Sequence, residues 1–153
     1  NPVEYKGETT ELDLHFSLCD DCGSEQGDAA QTRDNKRLMI AFKKRVDGLL
    51  AGREVRVLRE KLGLSQAEAA QVFGGGQVAF SKYEHDDVAQ SEAMDKLIRL
   101  AAELPPAFHL LCRQAGLERV LAGERWQQAA NWTAKPRGPA EVKKPRIARG
   151  FQF

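Results

Sequence analysis

The apolar positions of this chain change period as it is read from its first residue. Over residues 3–18, Leu12, Leu14 and Phe16 alternate with polar neighbours, and a spacing of two predicts strands. The second strand is expected to end in a tight turn carrying Cys19 and Cys22. Over residues 31–50, Leu38, Phe42, Val46 and Leu49 recur every three or four positions, which predicts an amphipathic helix. Its polar side holds Lys36, Arg37, Lys43, Lys44 and Arg45, and Ala51-Gly52 reads as the break that follows.

From 54 to 116 the signals are those of five short helices. Residues 54–61 present Val55, Leu58 and Leu62 on one side and stop at Gly63. Ser65 with Glu68 three positions on makes a capping box, and Leu64 just before it serves as a staple. That second helix carries Ala69, Val72 and Phe73 and ends at Gly74-Gly75-Gly76. A third spans 77–84 with Val78, Phe80 and Tyr83 as its anchoring positions, and Ser91 with Glu92 opens a fourth through Leu97, Leu100 and Leu104. Pro105-Pro106 falls in the first turn of a fifth, with Phe108, Leu111 and Cys112 on one face.

The pattern therefore predicts a mainly α protein with a small β element at its start. The expected organisation is a β element over 1–30, a linker helix over 31–52, a helical domain over 53–121 and a basic, flexible tail over 122–153. In that tail Pro136, Gly138, Pro139 and Pro145 interleave with Lys143, Lys144, Arg146 and Arg149. Length allows one such domain with appendages, and 153 residues leave no room for most large catalytic architectures. No apolar run approaches the roughly 18 residues of a membrane span. The first residues also lack a basic start followed by an apolar core, so a cytoplasmic setting without membrane partners is expected.

Charge adds a division of labour that the net value of +1 conceals. Residues 1–35 balance at −7, 36–63 at +6, 64–123 at −3 and 124–153 at +5. Blocks of one sign are expected to meet different partners, the basic ones nucleic acid and the acidic one a basic protein. The helix over 35–50 with Arg53, Arg56 and Arg59 is a candidate for neutralising phosphates.

The stretch from Leu64 to Glu84 carries the most specific signal. Two short helices joined by a glycine corner, with small Ala69 and Ala70 where the helices must approach, form a helix-turn-helix pattern. Such a pair holds its second helix in the major groove, where base edges present a distinct hydrogen-bond code. On that helix Gln77, Ser81 and Lys82 are the candidates for base contact, since Gln suits adenine and Lys suits guanine. Ser65 and Gln66, at the start of the preceding helix, are candidates for a phosphate.

The run RVLREKLGLSQAEAAQVFGGGQVAFSKYE resembles the Xre/Cro-type helix-turn-helix, and its FGGGQVAFSKYE portion is similar to the MqsA (YgiT-type) antitoxins. Upstream, CDDCGSE followed by AFKKRVDGLL matches that family's passage from a zinc-binding segment to a linker helix. The resemblance covers about residues 5–105 and implies a five-helix Xre/Cro-type bundle. It further implies a dimeric repressor of its own operon that binds a palindromic double-stranded DNA operator and holds an mRNA-cleaving toxin through its first segment. Two base-reading positions carry over to Val78 and Lys82. Val78 departs from the hydrogen-bonding residue expected there, leaving contact with a thymine methyl or a place in the core.

A Cys-x-x-Cys knuckle supplies half of a four-thiolate zinc site, and here only Cys19 and Cys22 fit. The resemblance places a first pair ahead of the strand hairpin, where this sequence begins at Asn1, so either the zinc site is completed outside this stretch or the pair is a metal-free relic. Cys112 lies on an apolar helix face and reads as core. Thiol redox or metal handling is a separate function class, but no βαβ pattern surrounds the pair. A free-standing regulator without a toxin is the other alternative to an antitoxin. Nothing assembles a catalytic group: the glycines at 74–76 follow no strand and no Lys-Ser or Lys-Thr pair follows them.

Overall fold

The computed structural model describes residues 1–122, and within them the chain is mainly helical with two small antiparallel strand pairs. The tail expected over 122–153 lies outside the described residues from 123 onward. Strand β1 (Pro2–Tyr5) pairs with β2 (Glu8–Glu11) in the register Pro2 to Glu11. Strand β3 (Ser17–Leu18) pairs with β4 (Glu25–Gln26). The alternating Leu12, Leu14 and Phe16 fall between these pairs rather than in a strand. Their period survives as partial burial of Leu12 and Leu14: Leu12 exchanges two backbone hydrogen bonds with Asn1 just past the β1–β2 pair, Leu14 N–H turns back to Leu12 carbonyl, and Phe16 is exposed.

Helix α1 (Ala29–Val46) begins two residues earlier than its apolar period, because Asp28 and Gln31 close a capping box. The strand pairs are tied along it. Asn35 exchanges two hydrogen bonds with the backbone of His15, at 2.7 and 2.8 Å. At the other end, Tyr5 and Lys6 both donate to Asp47, at 3.2 and 2.6 Å.

Five further helices follow as α2 (Gly52–Lys61), α3 (Gln66–Phe73), α4 (Ala79–Glu84), α5 (Glu92–Glu103) and α6 (Pro105–Gln114), with a short α7 (Glu118–Leu121) after them. Their shared core contains Val55, Leu64, Ala69, Phe80, Ile98, Ala101, Phe108 and Cys112, each nearly or wholly removed from solvent. Burying a large apolar side chain contributes about 1.5–3 kcal/mol, so this cluster rather than helix propensity holds elements as short as α4 in place.

Two expectations for apolar faces are corrected. Leu100 and Leu104 do not face the core: they are exposed, and α5 turns Asp95, Ile98 and Ala101 inward. Asp95 can lie inside because its carboxylate accepts from Leu50 N–H at 2.7 Å, Gln90 Nε2 at 3.0 Å and Arg99 Nε at 2.7 Å. Burial pushes its pKa up, yet these donors outweigh burial and hold it below the usual range. The second correction concerns α1, where Lys44 is not on the solvent side but wholly buried.

Candidate nucleic-acid interface

Ser65 caps α3 as its sequence requires: its Oγ accepts from Glu68 N–H at 3.2 Å, and its own N–H donates to Glu68 Oε2 at 2.8 Å. The helix ends at Phe73, and three glycines with φ of +91°, +97° and +87° turn the chain. Gly75 needs its missing side chain twice over. Its φ is unfavourable for an L-residue, and a Cβ would stand 3.0 Å from Ala79 Cβ at the start of the next helix.

Gln77 and Val78 belong to this turn rather than to α4, which begins at Ala79. Val78 is 59% exposed, so its place is not in the core. Gln77 and Lys82 are exposed and Ser81 is half-buried, while Ala79 and Phe80 point inward and the Phe80 ring packs between Phe73 and Tyr83. Lys82 N–H donates to Val78 carbonyl at 3.1 Å, so the two side chains stand one helical turn apart on one face. The turn and helix thus present one amide, one methyl-bearing group, one hydroxyl and one ammonium outward. That set can accept from, donate to and make apolar contact with base edges.

What holds this face in place was not read from the sequence. Arg59 of α2 forms a two-point ion pair with Glu84, Nε to Oε1 at 2.5 Å and Nη2 to Oε2 at 3.1 Å, and its Nη1 donates to Leu64 carbonyl. Gln66 Nε2 donates to the same Glu84 at 3.0 Å. Burial pushes the Glu84 pKa up, but hydrogen bonds from Arg59 and Gln66 prevail and leave it below its ordinary value. The Gln66 side chain is therefore engaged within the protein, and the group left to meet a phosphate there is the main chain at the start of α3.

The basic stretch over 36–63 is likewise partly turned inward. Arg37 pairs with Asp87, Lys44 with Asp86, and Arg59 with Glu84. Lys43 lies over the Tyr5 ring and Arg45 over the Phe42 ring, while Arg56 pairs on the surface with Glu60. Lys36 and Arg53 remain exposed. Net charge by block counts these residues equally, whereas the acidic partners of Arg37, Lys44 and Arg59 lie 50, 42 and 25 residues away and are invisible to local reading.

Cys19 and Cys22 sit in the turn joining β3 to β4, closed by Cys19 N–H to Ser24 carbonyl at 2.9 Å and Gly23 N–H to Cys19 carbonyl at 2.8 Å. The Ser24 hydroxyl, 3.1 Å from Cys22 Sγ, holds that thiol below its ordinary pKa. Among the described residues no group of three or more His, Cys, Asp and Glu is placed to hold a metal ion. A closed structural zinc site takes four ligands in a tetrahedron, and Cys19 with Cys22 supplies two thiols on one turn. Cys112 is wholly buried in the core, and burial pushes its thiol up to about 11.

Comparison with known proteins gives two findings. Residues 1–110 match the family described as the antitoxin component of bacterial toxin-antitoxin system, MqsA. Antitoxin MqsA of Escherichia coli (strain K12) is 32% identical over 111 residues, which span 68% of this chain and 81% of that protein.

Proposed function

Because this chain belongs to the MqsA antitoxin family, we propose that it is a DNA-binding antitoxin that represses its own operon and neutralises a toxin protein. The observation that carries the DNA reading is the outward face of Gln77, Val78, Ser81 and Lys82, held by the Arg59, Glu84 and Gln66 clasp across three helices. In this reading the helices from α2 onward form an Xre/Cro-type helix-turn-helix domain. Lys82 meets guanine O6 and N7, Ser81 and Gln77 donate to neighbouring bases, and Val78 touches a thymine methyl. The main chain at the start of α3, just after Ser65, fixes register on a phosphate. A homodimer would present two such faces to the two halves of a palindrome.

The acidic balance of residues 1–35, −7, suits that segment to a basic toxin, leaving the helical part to the operator. The test is purification of the protein with its bound partners, followed by titration of labelled duplex from its own promoter. A stoichiometric small basic protein together with preference for that duplex over random sequence is the expected result. Promoter preference without a protein partner would leave a repressor alone. No preference in either measurement would remove the proposal.

A further inference from the structure

The end of α4 is built by α1, an element 39 or more residues earlier in the chain. Helix α4 is only six residues long, too short to hold its own last turn, and its final carbonyls need partners from elsewhere. Asp87 N–H donates to Lys82 carbonyl at 2.9 Å and Asp86 N–H to Tyr83 carbonyl at 3.3 Å, with Asp86 in the left-handed region at φ +57°. That is the Schellman closure, made here with an aspartate where glycine is favoured.

Something must compensate for the strained residue, and it comes from α1. Lys44, wholly buried, donates to Tyr83 carbonyl at 2.8 Å and to Asp86 Oδ1 at 2.7 Å. A cation at the carboxyl end of a helix is favourable, and a buried one is held tightly because nothing else solvates it. Asp86 Oδ1 also accepts from Gly52 N–H at 3.2 Å. Two turns earlier on α1, Arg37 pairs with Asp87 through Nε at 2.7 Å and Nη2 at 3.3 Å. Both cations seize the two residues that end the helix carrying Ser81 and Lys82.

We infer that Lys44 and Arg37 are positioning residues for DNA reading: they latch α1 onto the Glu84–Asp87 end of α4 and so set where Ser81 and Lys82 meet the bases. This rests on the DNA-binding reading above. The latch also makes α1 a mechanical link, since β1 is bonded to the end of the same helix through Tyr5 and Asp47 and β3 to its start through Ser17 and Gln31. Whatever occupies the first segment is thereby connected to the base-reading face through one helix, α1. Neither cation need touch DNA for this role.

The test compares the full chain with Lys44→Met and with Arg37→Gln, measuring affinity for the own-promoter duplex and for a random duplex of equal length, with amide exchange at residues 81–87. For Lys44→Met the expected result is a loss of about tenfold in the ratio of the two affinities, the size of one misread base pair, with random-duplex binding nearly unchanged. Exchange at 81–87 should rise while α5 and α6 stay protected. Arg37→Gln, at a part-exposed pair, keeps the test decisive if the buried substitution prevents folding. It should lower the ratio by about threefold. Folded variants that keep the wild-type ratio would overturn the inference, and equal weakening on both duplexes would do the same by making the cations phosphate contacts. A wild-type protein without promoter preference would instead overturn the DNA reading beneath it.

Discussion

Arg59 and Glu84, 25 positions apart, meet as a bidentate ion pair whose side chains are 11% and 4% exposed, and through it α2 grips the last residue of α4. Removing one partner of so enclosed a pair leaves the other charge without compensation. Arg59→Met should therefore cost about 3–5 kcal/mol at neutral pH, read from urea unfolding.

The same pair predicts an acid response. Glu84 and Asp95 are pushed up by burial but pulled further down by their donors, and Asp87 is held low by the Arg37 hydrogen bond with a smaller opposing push from burial. Each folded pKa lies below its unfolded value, so the unfolded chain binds more protons in that window. Stability is then full above the ordinary carboxylate range near about 4 and declines as pH falls through the folded values. Urea midpoints from pH 7 down to 3 should show the decline. The gap between wild type and Arg59→Met should narrow over the same interval, because the substitution raises the Glu84 pKa.

Gly52 opens α2 directly against the end of α4, where a Cβ would stand 2.4 Å from Glu84 carbonyl oxygen and 2.9 Å from Asp86 Oδ2. Helix propensity favours alanine by about 1 kcal/mol, while overpacking against fixed backbone costs about 1–3 kcal/mol. The Glu84 carbonyl is backbone and cannot be moved aside by a rotamer change, so Gly52→Ala should be destabilising in net. A raised thermal midpoint for this variant would show that the two helices separate freely.

Lys82→Ala should lose about 1–3 kcal/mol on the preferred duplex and relax discrimination at one position. Val78→Asn, at an exposed site, should leave stability within about 0.5 kcal/mol while changing which base is preferred beside it. Binding selections with randomised duplexes check both, and a Lys82→Ala loss equal on all sequences would make that residue a phosphate contact.

Replacing Cys19 and Cys22 together by Ser should leave the unfolding of the helical part and its DNA affinity within about 0.5 kcal/mol of wild type, since the hydrogen bonds described for the pair stay within its own turn. Loss of DNA binding in that variant would revive a thiol-centred function.

The sequence by itself determined the features whose causes are local. Ser65 with Glu68, Ser91, the Pro105-Pro106 start and the glycine corner each act within three or four residues of the backbone they shape, so the helices stand where those signals put them. Facing was another matter. Lys44 lies beside Lys43 and Arg45 in a run that any local reading turns to solvent, yet it is buried because Asp86 and Tyr83 carbonyl, brought close only by folding, replace the water it loses. Leu100 and Leu104 obey helical spacing but lose the core face to Ile98 and Ala101, since α6 packs against that side of α5 and Asp95 must reach Leu50 N–H. Periodicity measures which residues share a side of a helix. Which side is covered depends on partners 25 or more residues away for these ion pairs, and a charge is tolerated inside only where tertiary structure delivers its counter-charge and hydrogen bonds.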